Sequence, residues 1–102
     1  MKYLLKVSSK IISHKRQEFM QALETMVAVP PTEKGCMDRV MFQDLHNLNH
    51  ICCLETWSTE RALSTYMQSD KFQAFLGSMT VLGDIVEYKV ITVSKIEKST
   101  AL

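Results

Sequence analysis

The stretch ICCLETWSTERALSTYMQSDKFQAF, residues 51–75, holds a strand and two helices with almost nothing between them. Side chains alternate along a strand, so Ile51, Cys53 and Trp57 share one face and Cys52, Leu54 and Thr56 the other. Both faces are mostly apolar, so both need covering. Ser58 or Thr59 caps the helix that follows, and Ala62, Leu63, Tyr66 and Met67 form its inward stripe. A short break at Ser69–Asp70 starts another helix, with Phe72, Phe75, Leu76 and Met79 on its apolar face. Leu82 and Gly83 end it, with Gly83 placed as the C′ residue.

Toward the N-terminus, residues 2–8 read as a strand with Tyr3, Leu5 and Val7 on one face. Ser9 to Ser13 connect it to a helix from His14, with Ser13 as N-cap. Phe19, Ala22, Leu23, Met26 and Val27 form that helix's stripe. Lys15 and Arg16 stand in its first turn, the unfavourable end for cations. Pro30–Pro31 stop it, and Thr32 to Gly35 turn the chain. Cys36 to Gln43 form the second strand, and the polar loop from Asp44 to Asn49 makes the hairpin. Ile85 to Val93 form the last strand, rich in β-branched residues.

The order β-α-β-β-α-β predicts an α+β, ferredoxin-like plait with a four-stranded antiparallel sheet. Residues 1–94 form a single domain and residues 95–102 a tail. Helices cover one sheet face. Apolar groups occur on both: Leu4, Met41, Leu54, Val86 and Val90 alternate with Leu5, Val40, Cys53, Ile85 and Ile91. A bare apolar sheet face favours aggregation. A second copy packed sheet to sheet with two-fold symmetry removes it, so a homodimer is expected.

Composition excludes several classes. With 12 basic and 11 acidic residues the net charge is +1, and no basic stripe interleaves with aromatics, so no nucleic-acid partner is expected. No apolar run could span a bilayer or serve as a secretory signal, so no membrane partner is expected. Three cysteines, at 36, 52 and 53, form no disulfide framework. Cys52 and Cys53 point to opposite faces, which argues against a shared metal. Reduced thiols used as small apolar residues suit a cytoplasmic protein. His46 and His50 with Asp44 flank the hairpin loop and read as solvated turn residues, and His14 as a surface residue.

Gly35-Cys36, Phe42-Gln43-Asp44, Glu55-Thr56-Trp57-Ser58 with Ala62-Leu63, and Ser69-x-x-Phe72 together resemble the antibiotic biosynthesis monooxygenase family. The resemblance covers residues 2–94 and implies a dimeric ferredoxin-like α/β barrel. It implies oxygenation of quinol- or anthrone-type aromatics without a cofactor, degradation of haem, or isomerisation of a sugar derivative. Relatives often carry His where this chain has Tyr66 and Lys71. The haem-degrading branch carries Asn, Trp and His at positions that correspond to Val7, Tyr66 and Leu76. With none of these present, haem is not an expected ligand.

The expected site lies between sheet and helices. Tyr66, Trp57 and Arg39 are the candidate catalytic residues, as hydrogen-bond donors to a substrate oxygen. Phe72, Phe75, Met79 and Glu55 are the candidate substrate-binding residues. Each also has a structural reading. Trp57 docks the helix, Tyr66 packs with its hydroxyl at a rim, and the phenylalanines and Met79 fill a core. Glu55 pairs with a nearby cation or a backbone group. Arg39 shares a strand face with Met37, Met41 and Gln43, and an outward placement lets it pair across a dimer. The functional readings are a cofactor-independent monooxygenase with no metal or organic cofactor, a non-catalytic small-molecule binding or sensing dimer, and an interaction protein with a filled core.

Overall fold

The computed structural model describes residues 1–28, 34–95 and 97–99. Pro30, Pro31 and Thr32, and the side chains of Met26, Val27, Ile85 and Val86, lie outside the described set, as does part of the tail. The elements are β1 (Lys2–Ile11), α1 (Arg16–Ala28), β2 (Cys36–Gln43), β3 (His50–Trp57), α2 (Glu60–Met67), α3 (Asp70–Leu82) and β4 (Gly83–Val93). A 3-10 turn, Ser13–Lys15, precedes α1. All strand pairs are antiparallel and the open sheet runs β2-β3-β1-β4. This is the expected ferredoxin-like α+β plait.

The register decides the faces. Leu5 lies opposite Glu55 and Val90, Val7 opposite Cys53 and Tyr88, and Met41 opposite Cys53. Residues directly opposite one another share a face, so Leu5, Val7, Met41, Cys53, Tyr88 and Val90 line the helix side. Leu4, Val40, Leu54 and Ile91 line the other side. Neither expected apolar set survives intact. The cause in β2 is a bulge between Cys36 and Asp38. It leaves Met37 exposed and turns Cys36 toward the core, so Met37 does not share the face of Arg39, Met41 and Gln43.

Two apolar clusters fill the space under the helices. One gathers Leu5, Val7, Cys53, Trp57, Leu63, Tyr66 and Phe72. The other gathers Ile11, Phe19, Leu23, Ile51 and Met79. Of the α1 stripe, Phe19 and Leu23 are buried, while Ala22 is exposed. Thr59 is the N-cap of α2, accepting from the Ala62 N–H at 3.1 Å, and Ser69 that of α3, accepting from the Phe72 N–H at 3.2 Å.

Three boundary expectations are corrected. β1 continues through Ser9 to Ile11, because Ile11 buries its side chain and its N–H donates to the Asn49 carbonyl at 2.7 Å. Ser13 is not a cap; its hydroxyl accepts from the Asn49 side chain at 3.1 Å. Gly83 is not a left-handed C′ residue. Its φ of −128° and ψ of 157° are extended, and it is the first residue of β4. Lys15 and Arg16 answer their place at a helix start by donating to carbonyl oxygens of Val81 and Leu48, and Arg16 also to Asn49 Oδ1.

Gly83 is glycine for space. A Cβ there would stand 2.5 Å from Ser9 Oγ and 2.9 Å from the carbonyl oxygens of Lys10 and Met79. Gly83→Ala is expected to destabilise by about 1–3 kcal/mol, the usual cost of overpacking. Adding Ser9→Ala should restore only part of this, since the backbone oxygens stay. Urea denaturation of the single and double variants checks both outcomes; an unchanged midpoint for Gly83→Ala would contradict the close approach.

Candidate functional site

β3 ends on Trp57, and α2 starts three residues later. The Trp57 ring is fully buried and stacks on Tyr66 at 4.9 Å between centroids. Tyr66 meets Phe72 at 5.2 Å, and Phe72 meets Phe75 at 6.3 Å and Tyr88 at 5.9 Å, the last edge-on. The rings thus run from β3 through α2 and α3 to β4. Aromatic pairs at such separations add about 0.5–1.5 kcal/mol each beyond their burial. Phe72 is 1% exposed and Tyr66 5%, so the row is a packed spine.

A cleft of about 880 Å³ opens at the Trp57–Tyr66 end of the row. Lys34 and Gly35 line it from the approach to β2, and Ser58 and Thr59 from the β3–α2 corner. Arg61, Ala62, Thr65 and Tyr66 line it from α2, and Ser69 and Lys71 from the start of α3. Its surface is mostly apolar. Ligand pockets span about 300–1,000 Å³ and are largely apolar with a few polar groups, so this cleft has the size and character to take a small molecule. The Trp57 indole N–H is buried and has no hydrogen-bond partner among the described residues.

The backbone makes this corner possible. Gly35 has φ +94°, a region that disfavours side chains. A Cβ there would meet the Ala62 Cβ at 2.6 Å. The Ser58 N–H donates to the Gly35 carbonyl at 2.9 Å and ties the entry of β2 to the corner.

The candidate residues named from sequence divide into three groups. Trp57 and Tyr66 line the cleft. Phe72 and Phe75 continue the ring row behind them, and Met79 belongs to the second apolar cluster with Phe19 and Leu23. Arg39 and Glu55 form a third group. Arg39 faces the helices, not outward across a dimer, because the bulge at Met37 sets its register opposite Glu55. Its Nε donates to Glu55 Oε2 at 2.5 Å, with the two side chains 4% and 3% exposed. Neither is among the residues that line the cleft.

Sequence reading missed Lys34, Arg61, Thr65 and the small residues Gly35 and Ala62 as lining groups. Lys71 carried a signal, since it stands where relatives often have His. At the far end of the sheet, Asp44 accepts from the N–H groups of His46 and Asn47 at 2.8 and 3.1 Å, which holds its carboxyl below the usual 3.8. Among the described residues no group of three His, Cys, Asp or Glu side chains is placed to hold a metal ion. No helix among them is long and apolar enough to cross a membrane.

With this geometry in view, comparison with known proteins identifies the family. The sequence profile described as "Antibiotic biosynthesis monooxygenase" matches residues 3–77, and the chain belongs to that family. No curated protein matches the chain. Among solved structures, a conserved protein from Methanosarcina mazei Go1 is 24% identical with a TM-score of 0.79, over 89% of this chain and 91% of that one. A candidate antibiotic biosynthesis monooxygenase from Deinococcus radiodurans is 13% identical with a TM-score of 0.86, over 97% and 99%. Another from Bacteroides thetaiotaomicron is 15% identical with a TM-score of 0.75, over 98% and 96%. At these identities the likeness shows the shared fold.

Cys53, beside the buried pair on the inner face, tests the described burial. Desolvation, and then the Glu55 charge, push its thiol from the ordinary 9.0 up to about 12, against a smaller downward pull from Arg39. A thiol that stays protonated in the folded state stabilises it below pH 9, and this contribution is lost as pH rises toward 12. Ellman's reagent at pH 8 should therefore modify half-buried Cys36 and spare Cys53 until denaturant is added. Between pH 8 and 10.5 the urea midpoint should fall more for wild type than for Cys53→Ala. A native Cys53 thiol that reacts as fast as Cys36 would contradict this.

Proposed function

We propose that the protein is a cofactor-independent monooxygenase acting on a small aromatic, of quinol or anthrone type, held in the cleft beside Trp57 and Tyr66. The observation that carries the reading is the mostly apolar, roughly 880 Å³ cleft lined by Trp57 and Tyr66, the Trp57 indole N–H being buried and without a partner among the described residues. An unsatisfied buried donor costs about 1–3 kcal/mol, which a substrate oxygen at hydrogen-bond distance would recover. Family membership supports the same chemistry.

Once deprotonated, such a substrate is electron-rich enough to reduce O₂ itself. A ring-activated CH₂ and O₂ become C=O and H₂O. Two C–H bonds break, one oxygen atom enters the product, and the other leaves as water with the two protons. The protein's part is to hold the ring and stabilise the oxyanion with fixed donors. Tyr66 and Trp57 bear that role in this reading. Arg39, matched by Glu55 on the inner face, stands apart from the cleft.

Oxygen uptake measured with a panel of anthrones and quinols should exceed the rate without protein, with quinone product in step. Tyr66→Phe should lower the rate about tenfold, within the range for loss of one oxyanion donor or less. No increase over the protein-free rate across the panel would overturn the proposal. A second reading, binding without turnover, is favoured by one observation: the described residues of the cleft lining include neither His nor carboxylate, the commonest general bases. Ligand-dependent rises in melting temperature with no product would support it.

We also propose that the working unit is a homodimer packed through the outer sheet face to form a dimeric α/β barrel. Val40, Phe42 and Ile91 are 36%, 53% and 38% exposed there, next to half-buried Leu4, Cys52 and Leu54. Lys6 and Lys89 lie directly opposite one another on the same face and interrupt the patch toward β4. Sedimentation at micromolar concentration is expected to give twice the chain mass of 11.7 kDa, and Phe42→Lys to give one. A wild-type monomer would remove the dimer.

A further inference from the structure

Trp57 and Tyr66 account for the floor of the cleft but not for its charge. Among the described residues three cations line it, Lys34, Arg61 and Lys71, and no Asp or Glu does. They arrive from three separate places: the approach to β2, the first turn of α2 and the first turn of α3. Lys34 and Arg61 have no carboxylate partner among the described residues. Glu60 and Asp70, at the first positions of α2 and α3, are the acids adjacent to Arg61 and Lys71 in sequence, and neither is among the lining residues.

The backbone adds to the same sign. Thr59 and Ser69, the caps of both helices, line the cleft, so the amide-rich, partly positive ends of α2 and α3 meet at its rim. Arg61 and Lys71 therefore sit where a cation is least favoured on its own helix, and both border the same space. Positive charge gathered around an apolar floor fits a flat ligand that carries negative charge at its edge.

From this we infer that the cleft selects aromatic ligands bearing an anionic oxygen group, a carboxylate or an ionised phenol, with Lys34, Arg61 and Lys71 as its counter-charges. The inference rests on reading the cleft as the substrate site and narrows the substrate to an acidic aromatic. It gives the site a means of ionising a phenol without a resident base. A nearby positive charge stabilises the anionic form and lowers the substrate's own pKa.

The test compares two probes of one ring system, 9-anthracenecarboxylate and the neutral 9-anthracenemethanol, by fluorescence titration at 20 and 200 mM salt. Wild type should bind the carboxylate about tenfold more tightly at low salt, with the preference shrinking at high salt. Arg61→Gln and Lys71→Gln should each weaken the carboxylate about two- to fivefold and move the alcohol less than twofold. Equal affinity for the two probes would overturn the inference and leave the cleft as an aromatic site. A carboxylate preference that survives both substitutions would also overturn it. Binding of neither probe would remove the reading of the cleft on which the inference rests.

Discussion

The contact between Gly35 and α2 is the constraint on which the corner depends. The left-handed backbone at Gly35 brings the chain to the helix where no side chain fits, with Ala62 close and the Trp57 ring 3.7 Å from the absent Cβ. The bond from the Ser58 N–H to the Gly35 carbonyl fastens the two sides together. Trp57 packs underneath at the cleft floor, and its stacking on Tyr66 fixes the roll of α2. The bulge at Met37 follows within two residues and returns Arg39 to the inner face, opposite Glu55. Backbone geometry at one glycine thus conditions both the cleft outside α2 and the charge pair beneath the sheet's cover.

That charge pair is a second constraint, of a different kind. Taking two ions out of water costs several kcal/mol per ion, and their attraction only roughly offsets it. Removing one partner leaves an uncompensated buried charge, at about 3–5 kcal/mol. The gain is in register. A slip of β2 by one residue would carry Arg39 to the outer face and leave Glu55 facing Leu5 with no cation beside it. Arg39 and Glu55 thereby specify how β2 and β3 align, which is also what places Gly35 at the corner.

The order of elements was legible because the apolar period changes cleanly from two to 3.6 at each junction, and because Thr59 and Ser69 are strong caps. The grouping of residues by face in β1 and β3 was legible for the same reason, but not which face turns inward. β2 was not, because a single inserted residue at Met37 inverts the pattern that follows it, and β4 was not, because apolar residues occupy both of its faces and only its pairing with β1 assigns them. Gly83 misled in another way. Its place after a helix suggests a left-handed cap, while its actual reason, the nearness of Ser9, Lys10 and Met79, lies far away in sequence or a turn back. Trp57 and Tyr66 were found because large aromatics at a strand–helix corner stand out. The cationic rim was not, since Lys34, Arg61 and Lys71 each look like ordinary surface charge until the fold gathers them.

The fold is shared with proteins 13–24% identical, so it does not choose among activities. The choice lies in what borders the cleft. Oxidation of an acidic carbon or phenol by O₂ needs the substrate ionised, and each pKa unit of help is worth about 1.36 kcal/mol. A His or carboxylate base gives that help by accepting the proton; positive charge gives it by lowering the energy of the anion left behind. Among the described lining residues, Lys34, Arg61 and Lys71 could give help only of the second kind. For such a site to work, its donors must already be aimed and must not relax, since the benefit of fixed charges and dipoles comes from reorganisation avoided. The row of rings behind Tyr66, centred on buried Phe72, supplies that stiffness: Phe72 supports Tyr66, and half-buried Phe75 and exposed Tyr88 flank Phe72. Residues that looked like the walls of a cavity are the frame behind its Tyr66 side.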